Sequence, residues 1–326
     1  MANEASLEPV SYGLVDEIAS NVVALNKHPE TASEPLRSSD RYKIVHFVRH
    51  GEGYHNIGFE SLDDTHLTPA GWEQGAKLQQ HINKLSRPLD LQAVFVSPLT
   101  RTLETACAVF GGPAATDGDP VLMQESVPID HERTHHLAIA KRPGVPFIAH
   151  EGCRERMSMN RCDRRRNLSD TSKTFPGVDF SRVTSDDDVA WEASKVKTLA
   201  ANEFGSKYLL GEKEADVAKR GLEFMNWVME RPEQYVAVVS HREWLKFTLR
   251  ALTEGAPPEM VKELTRGFRN AEMRSVVLNA RGRPVDVLRG THFPGEYPRH
   301  YLFAVNWTKR AMNGVASNVV RRLGRS

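Results

Sequence analysis

The sequence predicts a three-layer α/β/α domain with a mainly parallel sheet and an insertion that caps the C-terminal ends of its strands. Three observations lead to that class. Short, β-rich apolar runs recur at residues 44–48, 93–96 and 235–239, and each passes through polar residues into a stretch with helical periodicity. A length of 326 residues is enough for one large domain carrying insertions. With 40% hydrophobic and 26% charged residues the chain has ordinary globular composition, so the apolar runs read as buried strands.

The elements follow in order. Residues 1–40 hold two short apolar patches, 10–15 and 18–25, and then Pro- and Ser-bearing text; they read as an N-terminal arm. The folded body spans 41–310. Its first strand holds Ile44, Val45, Phe47 and Val48 and stops at Arg49-His50-Gly51. Thr68 is placed to cap a helix whose first residue is Pro69, with Leu78, Ile82 and Leu85 on one face. After the second strand, Ser97 and Pro98 open a helix carrying Leu99, Leu103, Ala106 and Phe110. Residues 111–190 are rich in Pro, Gly, Asp and Arg, with weak periodicity, and read as the insertion over the site. Helix returns within 191–231, where Ala218, Leu222, Met225 and Met229 form a stripe. The third strand leads through Ser240-His241 into a helix with Leu245, Leu249 and Leu252. Residues 273–278 and 301–306 read as late strands, and 311–326 as a basic C-terminal tail.

Composition also excludes several roles. A net charge of +1 gives no overall field for nucleic acid or an anionic membrane, so any basic site is local. Three cysteines with no CxxC pair argue against a disulfide framework or a cysteine zinc site and fit a reducing compartment. The first residues lack a basic segment followed by an apolar run, and no stretch is apolar enough to span a bilayer. A cytoplasmic location is the resulting expectation. Oligomeric state is not encoded in any feature of the sequence.

Polar residues just past the ends of parallel strands sit where such sheets bind ligands. Phosphoryl transfer without a metal needs a nucleophile, fixed positive charge for the phosphate oxygens and an acid for the leaving oxygen. The first junction offers Arg49 and His50, the second Arg101, the third His241. Arg101 lies in the first turns of its helix, where amide dipoles add to its pull on an anion. A neutral His50 is a competent nucleophile, and Arg49, Arg101 and a protonated His241 would offset the phosphoryl charge. Taken singly, these residues read equally well as core histidines and surface arginines. Their recurrence at three equivalent junctions favours a site.

The text around these residues resembles the histidine phosphatase (phosphoglycerate mutase-like) superfamily. The resemblance is carried by Val48-Arg49-His50-Gly51-Glu52 with His55-Asn56, by Leu67-Thr68-Pro69-Ala70-Gly71, by residues 97–106, and by Val238-Val239-Ser240-His241. Asn270-Ala271-Glu272-Met273-Arg274-Ser275 is similar to a late segment of a fungal and plant subgroup. The resemblance implies a phosphoglycerate mutase-like fold, His50 as nucleophile, Arg49, Arg101 and His241 as the phosphate pocket, and Asn56 as a phosphate ligand. It implies a small phosphorylated or otherwise anionic substrate and no cofactor. It also implies a carboxylate acid within the insertion. Glu155 aligns best with that acid and Glu151 is the alternative; the glycine usual in the following text is Ser158 here. His241 is followed by Arg242, where the family favours small residues; this arginine would narrow the pocket or bind a second anionic group.

Six arginines crowd residues 154–166, and two readings stand: recognition of a polyanion, or a solvated charged loop paired with Asp163 and Asp170. His131-Glu132-Arg133-Thr134-His135 matches the HExxH zinc motif, with Glu151 or Glu155 as a possible third ligand. Pro128 before it and Pro143-Gly144 after it leave little room for a buried zinc-bearing helix. The expected activity is therefore metal-independent hydrolysis of a small phosphate monoester through phosphohistidine on His50. A phosphomutase, a scaffold redirected to non-phosphate chemistry or binding, and the zinc hydrolase are the alternatives.

Overall fold

The computed structural model describes residues 42–126, 134–194 and 211–298. The expected N-terminal arm, the late strand at 301–306 and the basic tail at 311–326 lie outside the described residues. Strands β1 (Lys43–Arg49), β2 (Ala93–Val96), β5 (Phe147–His150), β6 (Val178–Arg182) and β7 (Tyr235–Ser240) form a parallel block in the order β6-β5-β2-β7-β1. Antiparallel β8 (Met273–Leu278) and β9 (Pro284–Val287) extend it beyond β1, and β3 (Val121–Met123) pairs separately with β4 (Ile139–Ala140).

Strand alternation produces the three layers. Val45, Phe47, Phe95, Val236 and Val238 face one core, shared with α4 (Glu214–Glu230), α5 (Arg242–Leu252) and α6 (Pro258–Thr265). Val48, Val94, Val96, Ala237 and Val239 face the opposite core, shared with α1 (Pro69–Asn83) and α2 (Thr100–Phe110). Helix α3 (Leu168–Thr174) adds the partly buried Leu168 to that second core. Thr68 caps α1 as expected: its hydroxyl accepts from Gly71 N at 3.1 Å, and Pro69 takes the first helical position. Among the described residues, no helix is long and apolar enough to cross a membrane.

Two expectations need correction. The stretch 111–190 is not one cap, because β5 and β6 inside it are strands of the main sheet. The part over the pocket is narrower and begins after β5. Helix α4 buries Val217, Gly221, Phe224, Met225 and Val228, with Ala218, Leu222 and Met229 only flanking the core. The expected stripe was thus turned by about one residue. Gly221 is the reason this face is innermost, since α5 approaches there so closely that a Cβ would collide with the Thr248 side chain.

That approach gives a stability prediction. Gly221→Ala should destabilise the protein by about 1–3 kcal/mol through overpacking, despite alanine's better helix propensity. Thr248→Ala added to it should recover part of the loss. Thermal unfolding of both variants checks this; a Gly221→Ala protein as stable as wild type would refute the α4–α5 contact.

Candidate active site

Register brings the three junctions together. Val48 pairs with Val239 and Val239 with Val96, so β1, β7 and β2 end side by side. Beyond those ends, His50 N donates to Ser240 O at 3.0 Å and Ser97 N to Val239 O at 3.1 Å. The turn after His50 is held by the neighbouring motif text. Gly51 N donates to Thr105 Oγ1 at 3.0 Å, Glu52 N to Gln74 Oε1 at 2.8 Å, and Thr68 Oγ1 to Glu52 Oε1 at 2.8 Å. Gly51 and Gly71 meet backbone to backbone. A Cβ on Gly51 would lie 2.6 Å from Gly71 O, so any larger residue would push the turn off α1.

Arg49, His50, Asn56, Arg101, Glu155 and Arg242 all line one cavity of about 870 Å³. His241 packs behind His50, with ring centroids 5.2 Å apart. His50 Nδ1 lies 2.6 Å from Gly51 O, and a carbonyl only accepts, so Nδ1 carries the proton and Nε2 keeps the lone pair. Burial, then the charges of Arg49, Arg101 and His55, hold the His50 pKa well below the ordinary histidine value. The nucleophile candidate is therefore neutral near neutral pH. Burial and the charge of Arg101 depress His241 in the same way, so that ring is held neutral too by the protein's own groups.

The arginines are fixed by backbone. Arg49 Nη1 donates to Phe268 O at 3.0 Å, and burial together with Arg242 pushes its pKa down to about 10, still charged at neutral pH. Arg101 Nη1 donates to Cys162 O at 2.6 Å, and its Nη2 lies 3.2 Å from Asp163. Nε of both arginines and Nδ1 of His241 are buried without a hydrogen-bond partner. Buried orphans of this kind cost about 1–3 kcal/mol each, so all three are open to a partner that the described residues do not supply. The helix-dipole argument for Arg101 does not hold. Asp64 already accepts from Thr100 N at 2.7 Å and Thr100 Oγ1 at 2.9 Å, so a carboxylate of the chain occupies the α2 N-terminus.

The two candidate acids part company. Glu155 accepts on Oε1 from Arg156 N at 2.8 Å and from Trp244 N at 3.2 Å, and it lines the cavity. Burial and nearby Asp163 push its pKa up to about 7. Glu151 instead binds Arg154 at 3.0 Å and Arg165 at 3.1 Å and is absent from the cavity lining. It belongs to a clamp in which buried Arg154 also grips Asp188 at 2.7 Å.

That clamp divides the arginine-rich segment, so that neither reading holds for all of it. Arg154 and Arg165 are buried and structural, Arg161 and Arg164 meet Asp63 near the surface, and Arg156 reaches the cavity. Of the HExxH residues, His131 and Glu132 lie outside the described residues, and exposed His135 lies 3.3 Å from Glu125. Among the described residues, no group of three or more His, Cys, Asp or Glu side chains is arranged to hold a metal ion.

Sequence reasoning passed over several residues of the cavity. His55 is one, its ring 5.2 Å from His50 and its Nε2 accepting from Asn56 Nδ2 at 3.0 Å. The His-Asn pair after Gly51 was the available signal. Asp163, Arg266 and Arg269 were not read as site residues, because nothing local relates them to positions 50 and 101.

Residues 45–121 and 177–289 match the histidine phosphatase superfamily (branch 1). A phosphoglycerate mutase-like protein of Arabidopsis thaliana is 34% identical over 271 residues, covering 79% of this chain and 93% of the relative. Phosphoglycerate mutase-like protein 1 of the same plant is 34% identical, covering 79% and 89%. The solved structure of Bacillus stearothermophilus YhfR is 18% identical, with a TM-score of 0.42 over 76% of this chain and 96% of its own. On the profile match and the plant relatives, the chain belongs to the histidine phosphatase superfamily.

Proposed function

We propose that this protein hydrolyses phosphate monoesters without a metal, through a phosphohistidine on His50, in a catalytic unit formed by residues 41–310. One observation carries the reading: a neutral imidazole of fixed tautomer shares a cavity with two guanidinium groups and a carboxyl group that holds its proton to about pH 7.

In the first step Nε2 of His50 attacks phosphorus and the ester P–O bond breaks. Glu155 gives its proton to the leaving oxygen, while Arg49, Arg101 and the second amide hydrogen of Asn56 hold the equatorial oxygens. The phosphoryl dianion favours protonation of His241, whose buried orphan Nδ1 then has an oxygen to bind. In the second step the Glu155 carboxylate takes a proton from water, the water oxygen bonds to phosphorus, and the N–P bond breaks. Phosphate leaves and Glu155 is again protonated. Arg242 is assigned to the substrate rather than to the transferred group, and Glu151 to the scaffold.

A mutase would return the phosphoryl group to a second hydroxyl in the same cavity. Release of inorganic phosphate in step with alcohol distinguishes the two.

Phenyl phosphate hydrolysis should persist in EDTA and vanish in His50→Ala. Acid-labile label should appear on the wild-type protein after a rapid quench with radiolabelled substrate. Turnover retained by His50→Ala, or lost to chelation alone, would falsify the proposal.

The acid makes a second prediction. Glu155 is protonated below about pH 7 and ionised above it. For an alkyl phosphate, kcat/KM should therefore fall as pH rises through about 7. Glu155→Gln should lose that limb together with about 10²-fold or more of the rate. Asp163→Asn removes a neighbouring negative charge and should move the limb to lower pH. A limb unchanged in both variants would assign it to another group.

A further inference from the structure

The cavity is larger than one phosphate requires. Its inner end holds Arg49, His50 and Arg101, and the remainder of about 870 Å³ opens along Arg242, Arg266, Arg269 and Tyr297. Sites of that size take a whole small molecule.

Positive charge on this outer wall is poorly matched within the protein. The carboxylate beside Arg242 is that of its own neighbour Glu243, at 3.8 Å, and Glu243 also lies 3.6 Å from Lys246. Arg266 shares buried Glu272, 2.8 Å away, with Arg274 at 2.7 Å and His292 at 3.3 Å. Arg269 makes no ion pair among the described residues. Its guanidinium carbon lies 4.5 Å from the centre of the Tyr297 ring, and its Nε is buried without a hydrogen-bond partner. An aromatic face orients a guanidinium plane without cancelling its charge, whereas a carboxylate would do both.

The acids of the cavity do not neutralise this wall. Asp163 is bonded to Arg101, Glu155 holds a proton to about pH 7, and Glu60 sits with the insertion, its carbonyl accepting from Cys162 N at 3.1 Å. The wall adjoins the phosphate position, since the charge of Arg242 depresses the pKa of Arg49. Of the arginines of residues 154–166, Arg154 and Arg165 are buried in the clamp with Asp188 and Glu151 and Arg161 pairs with Asp63, while Arg156 lines the cavity from the side of the insertion, its Nε donating to Glu212 O at 2.8 Å.

The geometry points to a substrate with two anionic groups: a phosphate ester at Arg49 and Arg101, and a second phosphoryl or carboxylate group a few bonds away, gripped by Arg242 and Arg269 with Arg266 behind them. Only the identification of the first group rests on the proposed hydrolysis.

Two substrate pairs test the wall, each pair differing by one anionic group. Glucose 1,6-bisphosphate is compared with glucose 6-phosphate, and phosphoserine with phosphoethanolamine. The added group should lower KM about tenfold or more in at least one pair, the scale of one charge-assisted contact. The responding pair tells phosphoryl from carboxylate recognition. In an Arg242→Gln/Arg269→Gln double variant the KM ratio should fall toward one, while Arg269→Lys retains part of it. Equal KM values within both wild-type pairs, or a preference that survives in the folded double variant, overturn the proposal. If none of the four compounds is hydrolysed, the hydrolysis reading fails separately. The same pairs are then compared as ligands by calorimetry. Tighter binding of a doubly anionic member that depends on Arg242 and Arg269 supports the wall, and its absence overturns it.

Discussion

Strand β1 leads directly into His50, between β7 and the loop leading into β8, and both backbone polar groups of that residue are occupied. Its amide donates to Ser240 O at 3.0 Å, and its carbonyl accepts from Ala271 N at 3.1 Å and from Asn270 Nδ2 at 3.2 Å. Arg49 is fixed alongside, its amide donating to Glu272 O at 3.1 Å. Ala271 adopts a left-handed conformation, φ 53°, to make this contact, a strain of about 1–2 kcal/mol that the surrounding bonds must outweigh. An imidazole on so constrained a peptide has few places to go, and its Nδ1 bond to Gly51 O removes the remaining choice of tautomer.

Everything with charge is arranged around that fixed ring. Burial alone disfavours a charged histidine, and the arginines beside it act in the same direction. The site thus holds its imidazoles neutral and keeps its positive charge on guanidinium groups, which burial does not deprotonate. Those guanidinium groups are oriented largely by backbone carbonyls: Phe268 O for Arg49 and Cys162 O for Arg101. A carbonyl directs the fork without cancelling its charge, although Asp163 also meets Arg101 at 3.2 Å, and the Tyr297 ring serves Arg269 in the same way.

The sequence made the strand ends legible because their information is local. A four- or five-residue apolar run, a Thr-Pro helix start and a polar dipeptide after a strand each follow from near neighbours, and parallel pairing then places the junctions side by side. Other features depend on partners far along the chain. Glu151 and Glu155 are four residues apart and chemically alike. What separates them is Asp188, which draws Arg154 into the clamp with Glu151, and the α5 amide at Trp244, which meets Glu155. The burial of Arg154 and Arg165 and the filling of the α2 N-terminus by Asp64 are hidden in sequence for the same reason. Composition suggested a solvated loop where nonlocal ion pairs make a core.

The carboxylates around the cavity explain why one of them suits proton transfer. Asp163, Asp188 and Glu272 each meet a guanidinium within 3.2 Å. At Asp188 the Arg154 guanidinium, helped by two backbone amides, outweighs burial and holds the pKa below the ordinary carboxylate value. Glu155 differs in having only amide donors, both on Oε1, with Asp163 adding repulsion. Two amides orient the carboxyl group without holding it ionised against burial and a like charge. Its proton is therefore available near neutral pH, beside a ring that is already neutral. A protonated carboxyl group and a neutral imidazole thus coexist in one protonation state of the protein, as the proposed hydrolysis requires, and this follows from where the fold places its cations.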